Sequence, residues 1–389
     1  MNRILYLVNA FEPDAPTRLM TEIGNAARNS GRYECRVMAL SRGGTFQREI
    51  SDRVGPSSVI GMRSFFDWTA IRRLDRAIKK YRPDILHVML MRPTLAGGLL
   101  ARWNRGCSLL VTQHGVHEWA EGGRVAGLFI PHAFRFAVEP ARALVTVSQE
   151  SRNTLLRHKL PPDLVQVIPN GVNTDLFSPS LKSHRREVLS GLFPGDNPDA
   201  VLLAGAAGNL RTIKGHMSMI QAAAKLAKHI PQLRFVIWGE GPEQRGLEDA
   251  ITHSALKNRF VLPGWRKDMG CALAACDIFI QPSISESFGL AAAEAMSCAV
   301  PVVASNIGGL PEIVRDGECG LLFSPGSSDD LSIKLGNLAE DQQYRHDLGQ
   351  AARKRVVEFF SLGLMTDRYI SVYDQLTASV RRLNHPSAI

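Results

Sequence analysis

Apolar residues along this chain fall into short, regularly spaced runs separated by amphipathic stretches. In the first half, runs at 4–8, 35–40, 85–90, 109–112, 144–147 and 165–168 are rich in Val, Ile and Leu and bounded by turn residues, which predicts strands. Helical patterns lie between several of them. Over 67–81, Ile71, Leu74, Ile78 and Tyr81 share one helix face. The alternation restarts at 201–204 and continues through runs at 235–238, 260–262, 278–281 and 300–304, with a helical pattern at 217–227 and others between the runs. Strands alternating with helices predict parallel sheets covered on both faces and joined by right-handed crossovers.

With 389 residues the chain is long enough for two such units. The Pro-, Ser- and Gly-containing stretch 179–198 is the expected linker. Residues 1–177 are then an N-terminal Rossmann-like domain and 178–361 a C-terminal one. Helical patterns at 342–360 and 366–383 end the chain, and a final helix at about 362–389 is placed to close the second domain or pack back on the first. Open parallel sheets bind ligands outside the carboxyl ends of their strands, so two facing domains would form a cleft.

Composition narrows the setting. No apolar run approaches the ~20 residues that span a bilayer, and the short run at 4–8 reads as a first strand, not a signal peptide. Six cysteines without C-x-x-C spacing predict small buried thiols in a reducing cytosol. Charge is unevenly placed. Residues 1–177 hold 24 Lys and Arg against 15 Asp and Glu, leaving 22 of each sign for the rest of the totals of 46 and 37. The excess of +9 therefore sits in the first half and points to an anionic partner there: nucleic acid, a membrane surface or a phosphorylated acceptor. No helix-turn-helix or stacking-aromatic signature supports nucleic acid.

The densest chemistry lies at 281–296. A strand runs into a turn carrying Glu286 and Ser287, and Gly289 then opens an Ala-rich helix that carries Glu294. Amides of Phe288, Gly289 and Leu290 at that helix start suit an anion or a sugar hydroxyl. The two carboxylates are too far apart to share a proton and read as separate hydroxyl clamps. A second cluster, Asn209, Arg211 and Lys214, follows the strand at 201–204, where a cation is placed to neutralise phosphate. His114 follows the run at 109–112, at the end of that strand, and His117 competes with it for any role.

The frame E-S-F-G-L-A-A-A-E-A-M at 286–296 resembles the signature of the retaining glycosyltransferases of family four, the group 1 glycosyl transferases, which have the two-domain GT-B fold. G-E-G-P at 239–242, P-V-V-A-S-N-I-G-G at 301–309, D-G-x-x-G-L-L at 316–322 (similar to the family's hairpin) and I-P-N-G-V at 168–172 fit the same family. The resemblance implies that Glu294 holds the ribose, Glu286 the donor sugar, and Ser287, Phe288, Gly289 and Leu290, with Gly241, the donor. It places His114 toward that sugar, and Lys214 on the diphosphate. Asn209 stands where the family has Arg, so Arg211 is the expected compensating charge. The loop after the first strand, 9–17, also lacks the family's glycines.

These readings imply transfer from a UDP- or GDP-linked sugar, with retention and no cofactor or catalytic metal, since no D-x-D or histidine–carboxylate cluster is present. The expected acceptor is a glycan or lipid-linked molecule of bacterial surface-polysaccharide or lipopolysaccharide synthesis. The enzyme is expected in the cytoplasm or peripheral at the inner membrane face, where basic residues of 72–82 and aromatic-basic stretches at 65–68 and 127–136 are candidate contacts. The alternatives are a silent sugar-nucleotide binder or a GT-B epimerase.

Overall fold

A computed structural model describes residues 1–64, 67–104, 106–115, 123–254 and 256–384; at 123–128 and 379–384 it describes the backbone only. Phe65, Phe66 and His117 lie outside the described residues. The chain divides into two compact units, Met1–Gly171 with Gly363–Ile389, and Val172–Leu362.

The first unit is built on β1 (Asn2–Ala10), β2 (Tyr33–Arg42), β3 (Ser57–Val59), β4 (Ile85–Met89), β5 (Ser108–Gln113), β6 (Ala141–Thr146) and β7 (Val165–Val167), all parallel, in the order β3-β2-β1-β4-β5-β6-β7. Strands β4 and β5 are buried along their whole length, as continuous apolar runs covered by helices on both faces require. The helix Trp68–Tyr81 shows how the pattern works. Asp67 caps it by accepting from the Ala70 N–H, and Ala70, Ile71, Leu74, Ile78 and Tyr81 face the core. Its other face carries exposed Arg72, Arg76, Lys79 and Lys80.

The second unit contains β8 (Leu202–Ala207), β9 (Leu233–Trp238), β10 (Phe260–Gly264), β11 (Ile278–Gln281), β12 (Val302–Ser305) and β13 (Leu321–Phe323), again parallel, ordered β10-β9-β8-β11-β12-β13. The residues expected to form a hairpin after β12 instead turn tightly, the Gly317 N–H donating to the Gly320 carbonyl at 2.8 Å. They deliver β13 in parallel to β12. β3 escapes the sequence pattern because its three residues, Ser-Ser-Val, are too few and too polar to form an apolar run.

The 179–198 stretch is not an open linker. It forms a 3-10 turn, Pro179–His184, and a helix, Arg185–Leu192, whose Val188 and Leu189 are buried in the second unit. Arg185 pins this segment by donating to Asp277 and to the carbonyl of Val201. The turn-forming residues mark only its ends.

The last helix, Leu362–Asn384, meets the first sheet through a polar network inside an apolar core. His87 on β4 is fully buried; Nδ1 lies 2.9 Å from the Tyr373 hydroxyl and Nε2 2.7 Å from Thr112 Oγ1. Tyr373 donates to the Tyr6 hydroxyl at 3.1 Å, and Thr112 is 3.2 Å from the Tyr369 hydroxyl. At the edge, Asp374 accepts from Tyr33 and Arg32. Burial, with His114 nearby, pushes the His87 ring down to about 3, so the ring is neutral. Between pH 6.5 and 3 the unfolded chain binds a proton here that the folded chain does not, so stability falls on acidification through that window. At pH 5 this ring alone should cost about 2 kcal/mol. His87→Gln should therefore lessen the decline of the urea midpoint between about pH 6.5 and 5; an unaltered slope would assign it to other groups.

Candidate functional site

Strand order in the second unit reverses between β8 and β11, and such switch points leave a crevice at the strand C-termini. The loop after β8 holds exposed Asn209 and Arg211 and the 3-10 turn Thr212–Lys214. The loop after β11 carries Glu286 and Ser287 and leads to Gly289, in the left-handed conformation (φ 101°), which opens the helix Leu290–Ser297.

The two loops are sewn together by main chain. Ile284 and Ser285 N–H groups both donate to the Ile213 carbonyl, at 2.8 and 3.3 Å. A Cβ at Gly215 would lie 2.0 Å from the Pro282 carbonyl oxygen, so only glycine fits there. This closeness brings Lys214 Nζ to 2.6 Å from Glu286 Oε2. The same oxygen accepts from Ser283 Oγ at 3.1 Å and Gln281 Nε2 at 3.3 Å. None of these three donors reaches Oε1. The side chains of Lys214 and Glu286 are 23% and 13% exposed, sheltered enough to strengthen the pair but still accessible.

Neighbouring loops complete the rim. Leu210 N–H donates to the Glu240 carbonyl at 2.9 Å, and Gly241 lets that loop pass, since a Cβ there would lie 2.5 Å from the Leu210 oxygen. After β12, Gly309 N–H donates to the Glu286 carbonyl at 3.1 Å. Glu294 is half-buried on the second turn of the helix beginning at Leu290, while the Phe288 ring turns inward against Phe360 at 5.8 Å. Asn209, Arg211, Lys214, Gly241, Glu286, Ser287, Phe288, Gly289, Leu290 and Glu294 thus belong to loops and a helix start at one edge of one sheet.

His114 belongs to the first unit and follows β5. Its Nε2 is buried with no hydrogen-bond partner among the described residues. Burial pushes the ring down to about 4, against an opposing hydrogen bond to Asn170. In the loop 9–17, Asp14 caps the helix Ala15–Asn29, and close backbone approach falls to Gly44, where a Cβ would lie 2.1 Å from the Phe11 oxygen.

Three side chains at the second-unit site do not stand out in the sequence. Gln281 and Ser283 hold Glu286, and the only signal for them is their place five and three residues before it at the strand end. His216 is 4% exposed; burial and the Lys214 charge push it down to about 4, against an opposing hydrogen bond to the Asn209 backbone. Its place directly after Lys214-Gly215 is the available clue.

Residues 196–355 match the model described as glycosyl transferases group 1, and 17–176 that described as glycosyltransferase family 4. The chain belongs to the group 1 glycosyltransferases. It is 29% identical over 260 residues to alpha-maltose-1-phosphate synthase of Mycolicibacterium smegmatis, covering 63% of this chain and 66% of that one. It is 32% identical over 222 residues to D-inositol 3-phosphate glycosyltransferase of Kribbella flavida, covering 54% and 51%. The match therefore spans between half and two thirds of these curated relatives. The crystal structure of Anabaena HepE in complex with UDP-glucose superposes with a TM-score of 0.83 at 24% identity, over 96% of this chain and 99% of that one. The fold is GT-B, as in that family.

The interlocked rim makes a local prediction. A Cβ at Gly308 would lie 1.8 Å from the Glu286 carbonyl oxygen, on a backbone with φ 59°. Gly308→Ala should destabilise the second unit by roughly 2 kcal/mol or more. Gly246→Ala, in an open position of the helix Gln244–Thr252, should instead stabilise by about 0.5–1 kcal/mol. Urea titration of both variants checks the contrast; equal effects would show that the rim yields freely.

Proposed function

We propose that this chain is a retaining, metal-independent glycosyltransferase that takes a sugar from a nucleoside diphosphate donor, UDP- or GDP-linked, to a hydroxyl of a glycan or lipid-linked acceptor. The observation that carries the reading is the Lys214–Glu286 contact at the β8/β11 switch point, beside the helix start at Leu290. A cation, a carboxylate and helix-start amides in neighbouring loops support binding of a sugar diphosphate there.

In this reading Lys214 exchanges its bond to Glu286 for the departing diphosphate, with Arg211 supplying the charge that Asn209 lacks. Glu286, steadied by Ser283 and Gln281, turns its Oε1 to the donor sugar's hydroxyls. Glu294 takes the ribose diol, while Gly241, Ser287 and the Phe288–Leu290 amides line the donor. For His114, in the first unit, the reading proposes a catalytic role as a neutral ring. The acceptor hydroxyl attacks the anomeric carbon on the face from which the diphosphate leaves, and its proton passes to that phosphate, which retains the configuration. Likeness in fold to a protein solved with UDP-glucose supports a UDP-sugar as the first donor to try.

The acceptor is proposed to be anionic or held at an anionic surface on the cytoplasmic side of a bacterial membrane, within surface-polysaccharide or lipopolysaccharide synthesis. The exposed basic face of Trp68–Tyr81 supports this, as do Phe129 and Phe136, 69% and 56% exposed. No helix among the described residues is long and apolar enough to cross a membrane.

A panel of UDP-, GDP- and ADP-sugars tests the activity. Lys214→Ala should lower turnover by about ten- to a thousandfold in the preferred donor, with activity unaffected by EDTA. Unchanged turnover in the variant would sink the role, and binding without transfer or hydrolysis across the panel would favour the silent binder. Sedimentation with phosphatidylserine vesicles should be strong at low salt and fade as salt rises; equal recovery at both would remove the electrostatic contact.

A further inference from the structure

The I-P-N-G-V segment at 168–172 carries one polar side chain, Asn170, which the proposed reaction leaves without a role. Asn170 is buried, on a turn just beyond β7 that is anchored on both sides. The Ile168 N–H donates to the Thr146 carbonyl at 2.9 Å, and the Gly171 N–H to Met365 Sδ at 3.1 Å. His114 follows β5, which β6 separates from β7. Its turn is held as well. Thr146 Oγ1 donates to the Gln113 carbonyl at 3.2 Å, and Gln113 Nε2 donates to the Gly115 carbonyl.

The hydrogen bond between His114 and Asn170 favours the protonated ring, so the imidazole donates and the Asn170 side-chain oxygen accepts. His114 Nε2 is buried without a partner among the described residues, which leaves Nδ1 as the donating nitrogen. A neutral imidazole carries a single N–H. With that hydrogen on Nδ1, Nε2 presents a lone pair and can only accept. The neighbouring ring on β4, His87, is itself neutral.

We propose that Asn170 is a positioning residue: it holds His114 in the Nδ1–H tautomer, so that Nε2 accepts a hydrogen bond from a substrate hydroxyl. The identity of that substrate rests on the proposed transfer reaction; the tautomer does not. Removing the Asn170 oxygen would leave nothing to select Nδ1–H, and a hydrogen on Nε2 would turn the acceptor into a donor. Adding a charge there would favour the imidazolium, in which both nitrogens donate.

Nitrogen-15 NMR of the full chain labelled at histidine, with His114 assigned from the spectrum of His114→Gln, reads the tautomer directly. The wild type should show Nδ1–H near neutral pH, and Asn170→Ala should lose that preference. In transfer assays Asn170→Ala should lower kcat/KM by about tenfold or more. Asn170→Asp keeps the accepting oxygen and should restore kcat/KM at high pH. Its ring should titrate above the wild-type value of about 4, so its kcat/KM should fall on acidification where the wild type holds. A purely structural asparagine would move neither the tautomer nor this acid limb. Nε2–H in the wild type, or an unchanged tautomer in Asn170→Ala, would overturn the assignment. An Asn170→Asp pH profile parallel to the wild type would overturn the hydroxyl contact. The wild-type spectrum and Asn170→Asp carry the test whatever the stability of Asn170→Ala. The expected tautomers without transfer from any donor would overturn the transferase reading and uphold the role of Asn170.

Discussion

The second unit is organised by one constraint: two loops from adjacent strands of a reversed sheet must pass within hydrogen-bond distance. The bifurcated acceptance of Ile284 and Ser285 N–H groups by the Ile213 carbonyl enforces it, and the absent side chain at Gly215 permits it. Once the loops are joined, Lys214 and Glu286 have little choice but to meet. An ion pair of this kind, partly shielded from water, holds each charge in place before any ligand arrives, so that less side-chain freedom is lost on binding.

The same economy explains the buried polar atoms around the pair. Gln281 is buried, and while its Nε2 supports Ser283 and Glu286, its Oε1 has no partner among the described residues. Orphaned polar groups are costly in a finished interior and are characteristic of sites that complete their bonding with a ligand. In the first unit, by contrast, His87 is bonded at both nitrogens inside a tyrosine cluster, which is how a structural histidine is satisfied.

Much of this was legible in the sequence because it depends on local signals. The strand at 278–281 and the helix at 68–81 follow from apolar periodicity, and the turn chemistry of 286–290 marks the helix start. Other features depend on partners distant in the chain. Val188 and Leu189 give 185–192 a buried face only because Arg185 finds Asp277, ninety-two residues away. Strand β13 follows a tight Asp-Gly turn that promises a hairpin, yet its three residues pair in parallel because β12 offers an open edge. Ser283 and Gln281 acquire their role only when Glu286 folds back over them.

The return of the final helix to the first unit has a consequence for biosynthesis. The tyrosines that surround His87 lie at 369 and 373, so the first sheet lacks part of its interior until those residues have left the ribosome. The second unit, continuous from Val172 to Leu362, can close on its own beforehand. The unit begun first is therefore completed after the second, and loss of the helical turns that carry Tyr369 and Tyr373 would injure it.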